Sequence, residues 1–447
     1  MPRRRKRDII IKGFSKLLKE DKLKIVADLM DKQVESMDLM MSFWHSDQKV
    51  QKIFDEFSEN TITNFYIPYG VAPNVIVNGH NYLVPLVIEE SSVVAAASSS
   101  AKFWSERGGF KAEVIEVIKI GQVHFTWKGD KQKLLSVFDD LKSYLRDSVR
   151  EITANMEARG GGVVDFELID MTKEVDDYYQ LKVSFNTVDS MGANFINSCL
   201  EEFAAALQTY IREKKIFEGE EKESRIIMSI LSNYTPECLV KVWVECEYSN
   251  LDSVDDKMKG EEFAKKFQLA VKIAEVDVYR ATTHNKGIFN GIDAVAIATG
   301  NDFRAIEAAG HTYASKSGKY KSLSTVELKD GKFTYSLTLP LAMGTVGGLT
   351  SLHPLAKQSL EMLDNPTAEE LMMITASVGL ANNFAAIRSL VTKGIQVGHM
   401  KMHLMNILNH FEATEDEKAK AVEYFIGNKV SFNSVSQFIN KLREVEE

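Results

Sequence analysis

Residues 279–302 read YRATTHNKGIFNGIDAVAIATGND and are the most informative stretch of the 447-residue chain. Polar and cationic side chains lie among small ones in its first half, and an apolar stretch runs in the second half through Ile292, Ala294, Val295, Ala296 and Ile297 to Ala298. Lys286 lies before this apolar part. A lysine at the mouth of an apolar element can be partly desolvated, so its charge stabilises a developing oxyanion more strongly than it would in water. The alternative, which the spacing taken alone favours, is a surface lysine that caps a helix.

Asp302 ends this stretch, in the sequence Gly300-Asn301-Asp302. The chain could turn back here and bring the carboxylate near Lys286. Asp302 could equally cap the N-terminus of the next helix, which is a common position for aspartate. The residues alone favour neither interpretation, so both a chemical and a structural role stay open.

Two adjacent carboxylates, Glu89-Glu90, follow a predicted strand and precede a predicted helix of small residues that Gly108-Gly109 should end. The strand belongs to an alternating pattern around an Asn78-Gly79 turn. A buried carboxyl group here would have a raised pKa and could donate a proton near neutral pH. The commoner alternative is an acid that interacts with the helix N-terminus, which would lower its pKa.

Two glycine-containing segments are candidates for binding a ligand through the backbone. Asp189-Ser190-Met191-Gly192-Ala193-Asn194 lies between a predicted strand and a helix, a place suited to a pyrophosphate group. It lacks the G-x-G-x-x-G pattern, so a dinucleotide site would need another architecture. Gly344-Thr345-Val346-Gly347-Gly348 is the second loop. Each loop taken alone is more often only a turn.

Gly398-His399-Met400-Lys401-Met402-His403 places two histidines four residues apart. The glutamate of the H-E-x-x-H zinc motif is missing, because Met400 occupies its position, and no third ligand is indicated. We therefore predict no metal site. His399 follows a glycine at a predicted helix start and could instead be a mobile acid that titrates near neutral pH.

The composition excludes several classes of protein. A formal net charge of −9 argues against a general nucleic-acid binder, which needs a basic surface. The three cysteines are odd in number and lack C-x-x-C spacing, so we expect neither a disulfide framework nor a zinc site. No apolar run reaches the roughly 18 residues of a membrane span, and no apolar signal region follows the basic cluster of residues 2–7. The sequence predicts a cytoplasmic protein.

The length predicts two or three domains. The first ~55 and the last ~50 residues are predicted to be helical, and Thr414 with Glu417 forms a capping box for one of the C-terminal helices. The region from about 113 to 222 follows a β-α-β-β-α order, which predicts a small sheet covered on one side by helices. The charged segment from Arg212 to Ser224 is predicted to be a surface loop, and strands alternate with helices from about 228 to 393.

Together these segments resemble class II 3-hydroxy-3-methylglutaryl-coenzyme A (HMG-CoA) reductases over roughly residues 55 to 410. The matching stretches follow the chain order of the family. They are Glu59-Asn60, Val84-Pro85 through Glu89-Glu90, Val93 to Ser98, Asp189 to Asn194, Arg280 to Ala305, Gly347-Gly348, Gly394-Ile395-Gln396 and Gly398-His399-Met400. Thr63, Ser91 and Ser190 depart from the glycine, proline and alanine of the family pattern, which affects local geometry rather than a chemical group.

The resemblance implies an α+β fold with three parts. A large mixed α/β domain, residues 1–112 and 223–393, would bind HMG-CoA and form a dimer. A small ferredoxin-like domain, residues 113–222, would be inserted into it and would bind the nucleotide. A helical C-terminal flap domain, residues 394–447, would close over the site.

The resemblance also assigns roles to residues. The implied catalytic residues are Glu90, Lys286, Asp302 and His399. The implied substrate-binding residues are Ser92, Asn233, Arg280 and Asn290. The implied cofactor-binding residues are Asp189, Met191, Gly192, Ala193, Asn194, Gly347 and Gly348. No metal is implied.

The implied reaction is the two-step reduction of HMG-CoA to mevalonate and free coenzyme A by two NAD(P)H, in a homodimer or higher even oligomer with the site at the subunit interface near Glu59-Asn60. Lys286 would stabilise the oxyanion, and His399 would protonate the departing thiolate. NADPH is preferred over NADH, because the position where an acidic residue would bind the ribose 2′-hydroxyl falls near Thr153. Glu151 and Glu157 are nearby.

Two alternatives keep the same fold. A non-catalytic protein that binds CoA thioesters would be expected to lack at least one catalytic group, yet Glu90, Lys286, Asp302 and His399 are all present. The same enzyme could also run in the mevalonate-oxidising direction. One site accelerates both directions, so the sequence does not separate biosynthesis from degradation.

Overall fold

The computed structural model describes residues 10–255, 257–392 and 404–446. The basic cluster of residues 2–7 and the two histidines His399 and His403 lie outside these ranges. Three short helices come first, as the helical pattern predicts. They are α1 (Lys19–Asp28), α2 (Gln33–Ser42) and α3 (Gln48–Glu56).

An antiparallel hairpin and a helix follow. They are β1 (Tyr69–Val77), β2 (His80–Val87) and α4 (Val93–Ser105). Asn78 and Gly79 join the strands with φ values of 50° and 88°, so the predicted two-residue turn is confirmed. After α4, the Gly109 N–H donates to the Trp104 carbonyl oxygen at 2.8 Å. A Cβ on Gly109 would lie 2.7 Å from the Ile76 carbonyl oxygen, so this close approach requires glycine.

A four-stranded antiparallel sheet forms the centre of the larger part of the chain, in the order β3-β8-β10-β9. Its strands are β3 (Lys111–Val117), β8 (Cys238–Glu247), β9 (Ser324–Lys329) and β10 (Lys332–Pro340). Alternate residues of β8 and β10 are fully buried, which is the period of a sheet with one face against a core. The helices that pack on and around it are α9 (Gly260–Val276), α10 (Val278–Ala298), α11 (Phe303–Ala314), α12 (Leu349–Leu352), α13 (Pro354–Met362) and α14 (Ala368–Val391).

A second four-stranded antiparallel sheet has the order β5-β6-β4-β7. Its strands are β4 (Lys119–Trp127), β5 (Gly162–Asp170), β6 (Tyr178–Asn186) and β7 (Ser224–Ser232). Its helices are α5 (Lys131–Ser136), α6 (Phe138–Ser148), α7 (Arg150–Glu157) and α8 (Ala193–Glu213). The β-α-β-β-α-β succession with this strand order is a ferredoxin-like split βαβ arrangement.

The sheet pairings differ from the boundaries predicted at 113 and 222. β3 pairs with β8 in the first sheet, and β7 pairs with β4 in the second, so both strands were assigned to the wrong sheet. The predicted alternation of strands and helices after residue 228 is also wrong, because α9, α10 and α11 follow one another without a strand between them. Strand periodicity does not reveal which partner a strand will find. The charged segment 212–224 is anchored by Phe217, which is fully buried.

α14 is the helix on which the larger part is built. It is long and apolar enough to cross a membrane by length and composition, but 83% of its most apolar window is buried inside the protein. It packs closely against α10, because glycines face the partner helix on each side. A Cβ on Gly291 would lie 2.7 Å from the Val378 carbonyl oxygen, and one on Gly379 would lie 2.8 Å from Cγ1 of Ile292. α14 is therefore a core helix held tightly against α10.

A buried polar network fixes α10 on α14 and on the segment of residues 321–324. The Asn383 amide of α14 donates to the His284 carbonyl oxygen at 2.9 Å, and the Asn285 amide donates to the Lys321 carbonyl oxygen at 3.0 Å. The imidazole Nε2 of His284 lies 2.6 Å from the Ser324 hydroxyl. Burial lowers the pKa of His284 to about 3, so the ring is neutral at physiological pH.

The C-terminal helices have a small core of their own, formed by residues such as Leu408, Ala421 and Ile439. The helices are α15 (described over residues 404–410), α16 (Glu415–Tyr424) and α17 (Phe432–Glu446). The predicted capping box is confirmed, since the side chain of Thr414 accepts a hydrogen bond from the backbone N–H of Glu417, and the Glu417 carboxylate accepts one from the backbone N–H of Thr414. Glu417 also accepts a hydrogen bond from Nε of Arg443 at 2.7 Å, which links α16 to α17 and lowers the pKa of Glu417 to about 2.

We predict that Glu417→Gln destabilises this helical unit by about 1 kcal/mol at pH 7, because a charge-assisted hydrogen bond is lost. A carboxylate with a depressed pKa stabilises the fold above its ordinary value of 4.5, and this contribution disappears as the pH falls to about 2. Calorimetric unfolding should therefore show a lower stability of Glu417→Gln than of the wild type at pH 7. This difference in stability should shrink as the pH falls from 4.5 to about 2. Glu415→Gln is the matched control, because that side chain is 91% exposed. A difference that persists unchanged at pH 2 would contradict the assignment.

Candidate active site

Glu90 and Lys286 form an ion pair and hydrogen bond between two elements of the larger part. Glu90 lies in the link between β2 and α4, and Lys286 lies on α10. Ser92, at the start of α4, has a positive φ of 79°, so the link bends sharply just after Glu90. The Glu90 side chain is 39% exposed and that of Lys286 is 57% exposed. The pair is therefore open to a ligand, and Glu90 is not the buried carboxyl group that one of the two alternatives required.

A pair of carboxyl groups, Asp293 and Glu307, lies near the Glu90–Lys286 ion pair. Asp293 is on the same face of α10 as Lys286, seven residues further along, and its carboxyl group hydrogen-bonds to Glu307 of α11. Burial, reinforced by the neighbouring charges of Glu307 and Glu89, raises the pKa of Asp293. This pair therefore retains a proton near neutral pH. The spacing of Lys286 and Asp293 along α10 was the available signal in the sequence, and the prediction missed it.

Asp302 is the N-cap of α11. Its carboxylate accepts hydrogen bonds from the backbone N–H groups of Arg304 and Ala305, both at 3.2 Å. Within the described ranges, no hydrogen bond or ion pair joins Asp302 to Lys286 of the same chain. The capping role is confirmed, and the return of Asp302 towards Lys286 does not occur within one chain.

The two glycine-containing loops meet at a cavity of about 640 Å³ between the two sheets. The backbone N–H of Thr345 donates to the Asp189 carbonyl oxygen at 2.8 Å, and Ser190 and Val346 form a parallel bridge. The cavity lining includes Met191, Gly192, Ala193, Asn194, Asp302, Gly347 and Gly348. Six of the seven predicted cofactor-binding residues, together with Asp302, are therefore brought to one place.

Asp189 is the exception, because it does not line this cavity. Its carboxylate accepts a hydrogen bond at 2.8 Å from the backbone N–H of Ala368, in the first turn of α14. The positive end of the helix dipole favours a negative charge at this position. Asp189 therefore ties the loop to α14 instead of facing a ligand.

Lys119 holds the same loop from the other side. Its ammonium group is buried and donates to Oγ1 of Thr187 at 2.6 Å and to the Ser190 carbonyl oxygen at 2.7 Å. Burial lowers the pKa of Lys119. Gly192 follows with a φ of +82°, and a Cβ there would lie 2.4 Å from Thr187. The N-terminus of α8 is thus fixed where Gly192, Ala193 and Asn194 line the cavity.

A separate cavity of about 390 Å³ begins at Glu90 and runs between α4 and α14. Its lining includes two of the predicted substrate-binding residues, Ser92 and Asn290. Asn233 lies elsewhere, in a cavity of about 170 Å³ that it shares with Asp302. Arg280 lines none of these three cavities. The structure therefore brings two of the four substrate-binding candidates together within one chain.

Comparisons with known proteins agree with one another. The family model described as hydroxymethylglutaryl-coenzyme A reductase matches residues 19–404. The 3-hydroxy-3-methylglutaryl-coenzyme A reductase of Archaeoglobus fulgidus is 36% identical over 441 residues, which cover 97% of this chain and 94% of that protein. A probable reductase of the same name from Borreliella burgdorferi is 33% identical over 392 residues, 86% of each chain.

Solved structures show the same relationship. The 3-hydroxy-3-methylglutaryl-coenzyme A reductase of Streptococcus pneumoniae is 36% identical, with a TM-score of 0.71 over 97% of this chain and all of that chain. The class II enzyme of that organism bound to NADPH in open conformations is 37% identical, with a TM-score of 0.70 over 86% of this chain and all of the other. This chain belongs to the hydroxymethylglutaryl-coenzyme A reductase family.

Proposed function

We propose that this protein, an NAD(P)H-dependent HMG-CoA reductase of the mevalonate pathway, performs its chemistry at the Glu90–Lys286 pair. The observation that carries the proposal is that Glu90, the ion-pair partner of Lys286, lines a cavity that Ser92 and Asn290 also line. A lysine held by one carboxylate and still open to solvent is free to accept a carbonyl oxygen as a second partner. The Asp293–Glu307 pair behind it keeps a proton in the same region.

Lys286 stabilises the oxyanion that develops on the thioester carbonyl, because its positive charge lies next to the reacting atom. Glu90 orients the lysine and exchanges a proton with it. The nicotinamide, when bound, supplies the hydride for each of the two reductions. Collapse of the thiohemiacetal releases coenzyme A as a thiol with an ordinary pKa of about 8.5, so protonation during departure favours the step. His399 is the proposed donor, and it lies outside the described residues.

The nucleotide is proposed to bind in the larger cavity, against Met191 to Asn194 and Gly347-Gly348. The residues present fit a pyrophosphate group, because the αL conformation of Gly192 begins α8 there and leaves its first N–H groups free for an anion. Gly347 and Gly348 have open space where a side chain would be, so backbone can approach the ligand closely.

We propose that two copies of the chain complete each site. The cavity at Glu90 and the cavity at Asp302 share no lining residue, yet hydride transfer needs reacting atoms about 3–3.5 Å apart. The catalytic Asp302 of one copy would then serve the Lys286 of the other. The exposed apolar run of Phe65, Tyr66 and Ile67, next to the Glu59-Asn60 segment, supports an interface there.

NADPH is the proposed cofactor. Thr153, where an acidic residue would have indicated NADH, is buried in α7 and does not line the nucleotide cavity. Arg159 does line it, and no carboxylate in the described part of the chain pairs with its guanidinium. An arginine in this position suits a ribose 2′-phosphate.

We propose a cytoplasmic location, in keeping with cysteines that are all free and buried among the described residues. The presence of Glu90, Lys286 and Asp302 argues against a protein that only binds CoA thioesters. Reduction and mevalonate oxidation use the same site, and metabolite levels set the direction.

We predict that the wild type oxidises two NADPH for each HMG-CoA, and that Lys286→Ala lowers kcat by about 100-fold or more, because the oxyanion loses its charged partner. Glu90→Gln should be similarly impaired. Absorbance at 340 nm with a limiting amount of HMG-CoA gives both the rate and the stoichiometry. The matched control is Lys272→Ala, on the exposed face of α9, which should leave kcat unchanged. Full activity of Lys286→Ala would contradict the assignment of the site.

A complementation experiment tests the shared site. Lys286→Ala and Asp302→Asn chains, each inactive alone, are purified as a mixed dimer through two different tags. If Asp302 acts across the interface, one of the two sites retains both groups, and about half of the wild-type activity returns. If both groups act within one chain, every site of the mixed dimer lacks one of them. Absence of recovered activity in an isolated mixed dimer therefore contradicts the proposal.

Cofactor choice is tested with Arg159→Gln. We expect KM for NADPH to rise about 10- to 100-fold, because charge-assisted hydrogen bonds to the 2′-phosphate are lost. KM for NADH should change little. Arg150→Gln is the control, since that side chain of the same helical segment is 77% exposed and pairs with Asp147. Equal increases for both nucleotides would show that Arg159 does not distinguish them.

A further inference from the structure

Arg388 is a cation inside the substrate cavity to which the sequence analysis assigned no role. It lies in the last turn of α14 and lines the cavity that begins at Glu90, together with Ser99 of α4 and Ser389. Ser92 and Ser99 are seven residues apart on α4, so Arg388 is about 10 Å along that helix from the catalytic end. The wall between the two ends is made of small residues. They are Ala95, Ala96, Ala385 and Ala386.

The guanidinium is held in place without a counter-ion. One Nη donates to Oγ of Ser99 at 2.8 Å, and the group lies 5.9 Å and 5.7 Å from the ring centroids of Phe103 and Phe384. In the described part of the chain, no carboxylate forms an ion pair with it. The arginine is thus oriented by aromatic faces and one hydroxyl, and most of its donors are unused.

This arrangement is costly unless an anion joins it. Arg388 is half-buried, and burial lowers the pKa of its guanidinium, which nevertheless stays charged. A partly desolvated charge without a partner destabilises a fold, whereas a bound anion offsets that cost. A position in the last turn of a helix favours a cation there, but it does not explain why the side chain turns into a cavity.

We propose that Arg388 binds an anionic oxygen group of the acyl-CoA substrate, and so determines how the thioester is placed relative to Lys286. The inference rests on the proposed site at Glu90 and Lys286. Two groups of HMG-CoA have the required chemistry. One is the carboxylate of the acyl part, and the other is a phosphate of coenzyme A at the end of the pantetheine arm. Both would accept the paired N–H donors of a guanidinium.

The two sources are separated by comparing ligands that carry only one of them. Arg388→Gln is assayed with HMG-CoA, with mevaldehyde, which retains the carboxylate but has no coenzyme A, and with free coenzyme A as an inhibitor. We expect KM for HMG-CoA to rise about 10- to 100-fold, because charge-assisted hydrogen bonds in a desolvated site are lost. A parallel rise for mevaldehyde identifies the carboxylate. Weaker inhibition by coenzyme A, with mevaldehyde unchanged, identifies the phosphate.

Arg388→Lys keeps the charge but loses the planar fork, so it should give an intermediate KM. If Arg388→Gln does not fold, Arg388→Lys is assayed with the same three ligands in its place. Arg212→Gln is the matched control, because Arg212 is exposed on α8 and its guanidinium hydrogen-bonds to the Thr209 hydroxyl. Thermal unfolding without ligand establishes that each variant is folded.

The proposal is overturned if folded Arg388→Gln binds HMG-CoA, mevaldehyde and coenzyme A as the wild type does. A fall in kcat with unchanged KM values for both substrates and an unchanged inhibition constant for coenzyme A would also overturn it, since that outcome describes a structural residue. Failure of the proposed site is a different result, because it would appear as full activity in Lys286→Ala.

Discussion

The close packing of α10 against α14 is the constraint on which the site depends. Gly291 and Gly379 allow the two helices to approach until backbone meets side chain, and the Asn383 amide fixes their register through the His284 carbonyl oxygen. α10 carries Lys286 and Asn290, while α14 carries the wall that ends at Arg388. A shift of either helix would therefore move Lys286 relative to the cavity that begins at Glu90. The buried polar network makes such a shift expensive, because each displaced group would lose its partner in a dry interior.

A second set of contacts connects the parts of the chain that contain the two sheets. Lys119, at the start of β4, and Asp189, after β6, hold the loop before α8 from opposite sides, and Asp189 attaches it to the first turn of α14. Gly344 allows the neighbouring loop to pass Met191, because a Cβ there would lie 2.4 Å from the Met191 nitrogen. One long helix thus contacts the loop before α8 at its first turn and the cavity that begins at Glu90 at its last turns. The positions of both cavities therefore depend on α14.

Local patterns in the sequence predicted local structure well. The Asn78-Gly79 turn, the Thr414 capping box and the helix over residues 93–105 depend on neighbouring residues, and all three are present. The resemblance led to the family and to Glu90 and Lys286, which the structure brings together. Contacts between residues that are far apart in the sequence could not be predicted from these local patterns. The pairing of β3 with β8, the turn of Asp189 away from the cavity, and the positions of Asp293 and Arg388 all depend on which elements meet in the folded chain.

The separation of Lys286 from Asp302 follows from how α10 and α11 are joined. The apolar second half of α10 must be buried, so the chain leaves the core only after Ala298, and Asp302 is then used to cap α11. Lys286 on α10 and the loop of residues 300–302 that follows α10 are thereby kept apart. In the dimer proposed above, Asp302 of one copy would serve Lys286 of the other. The same burial that makes α10 a stable core helix would then make catalysis depend on association.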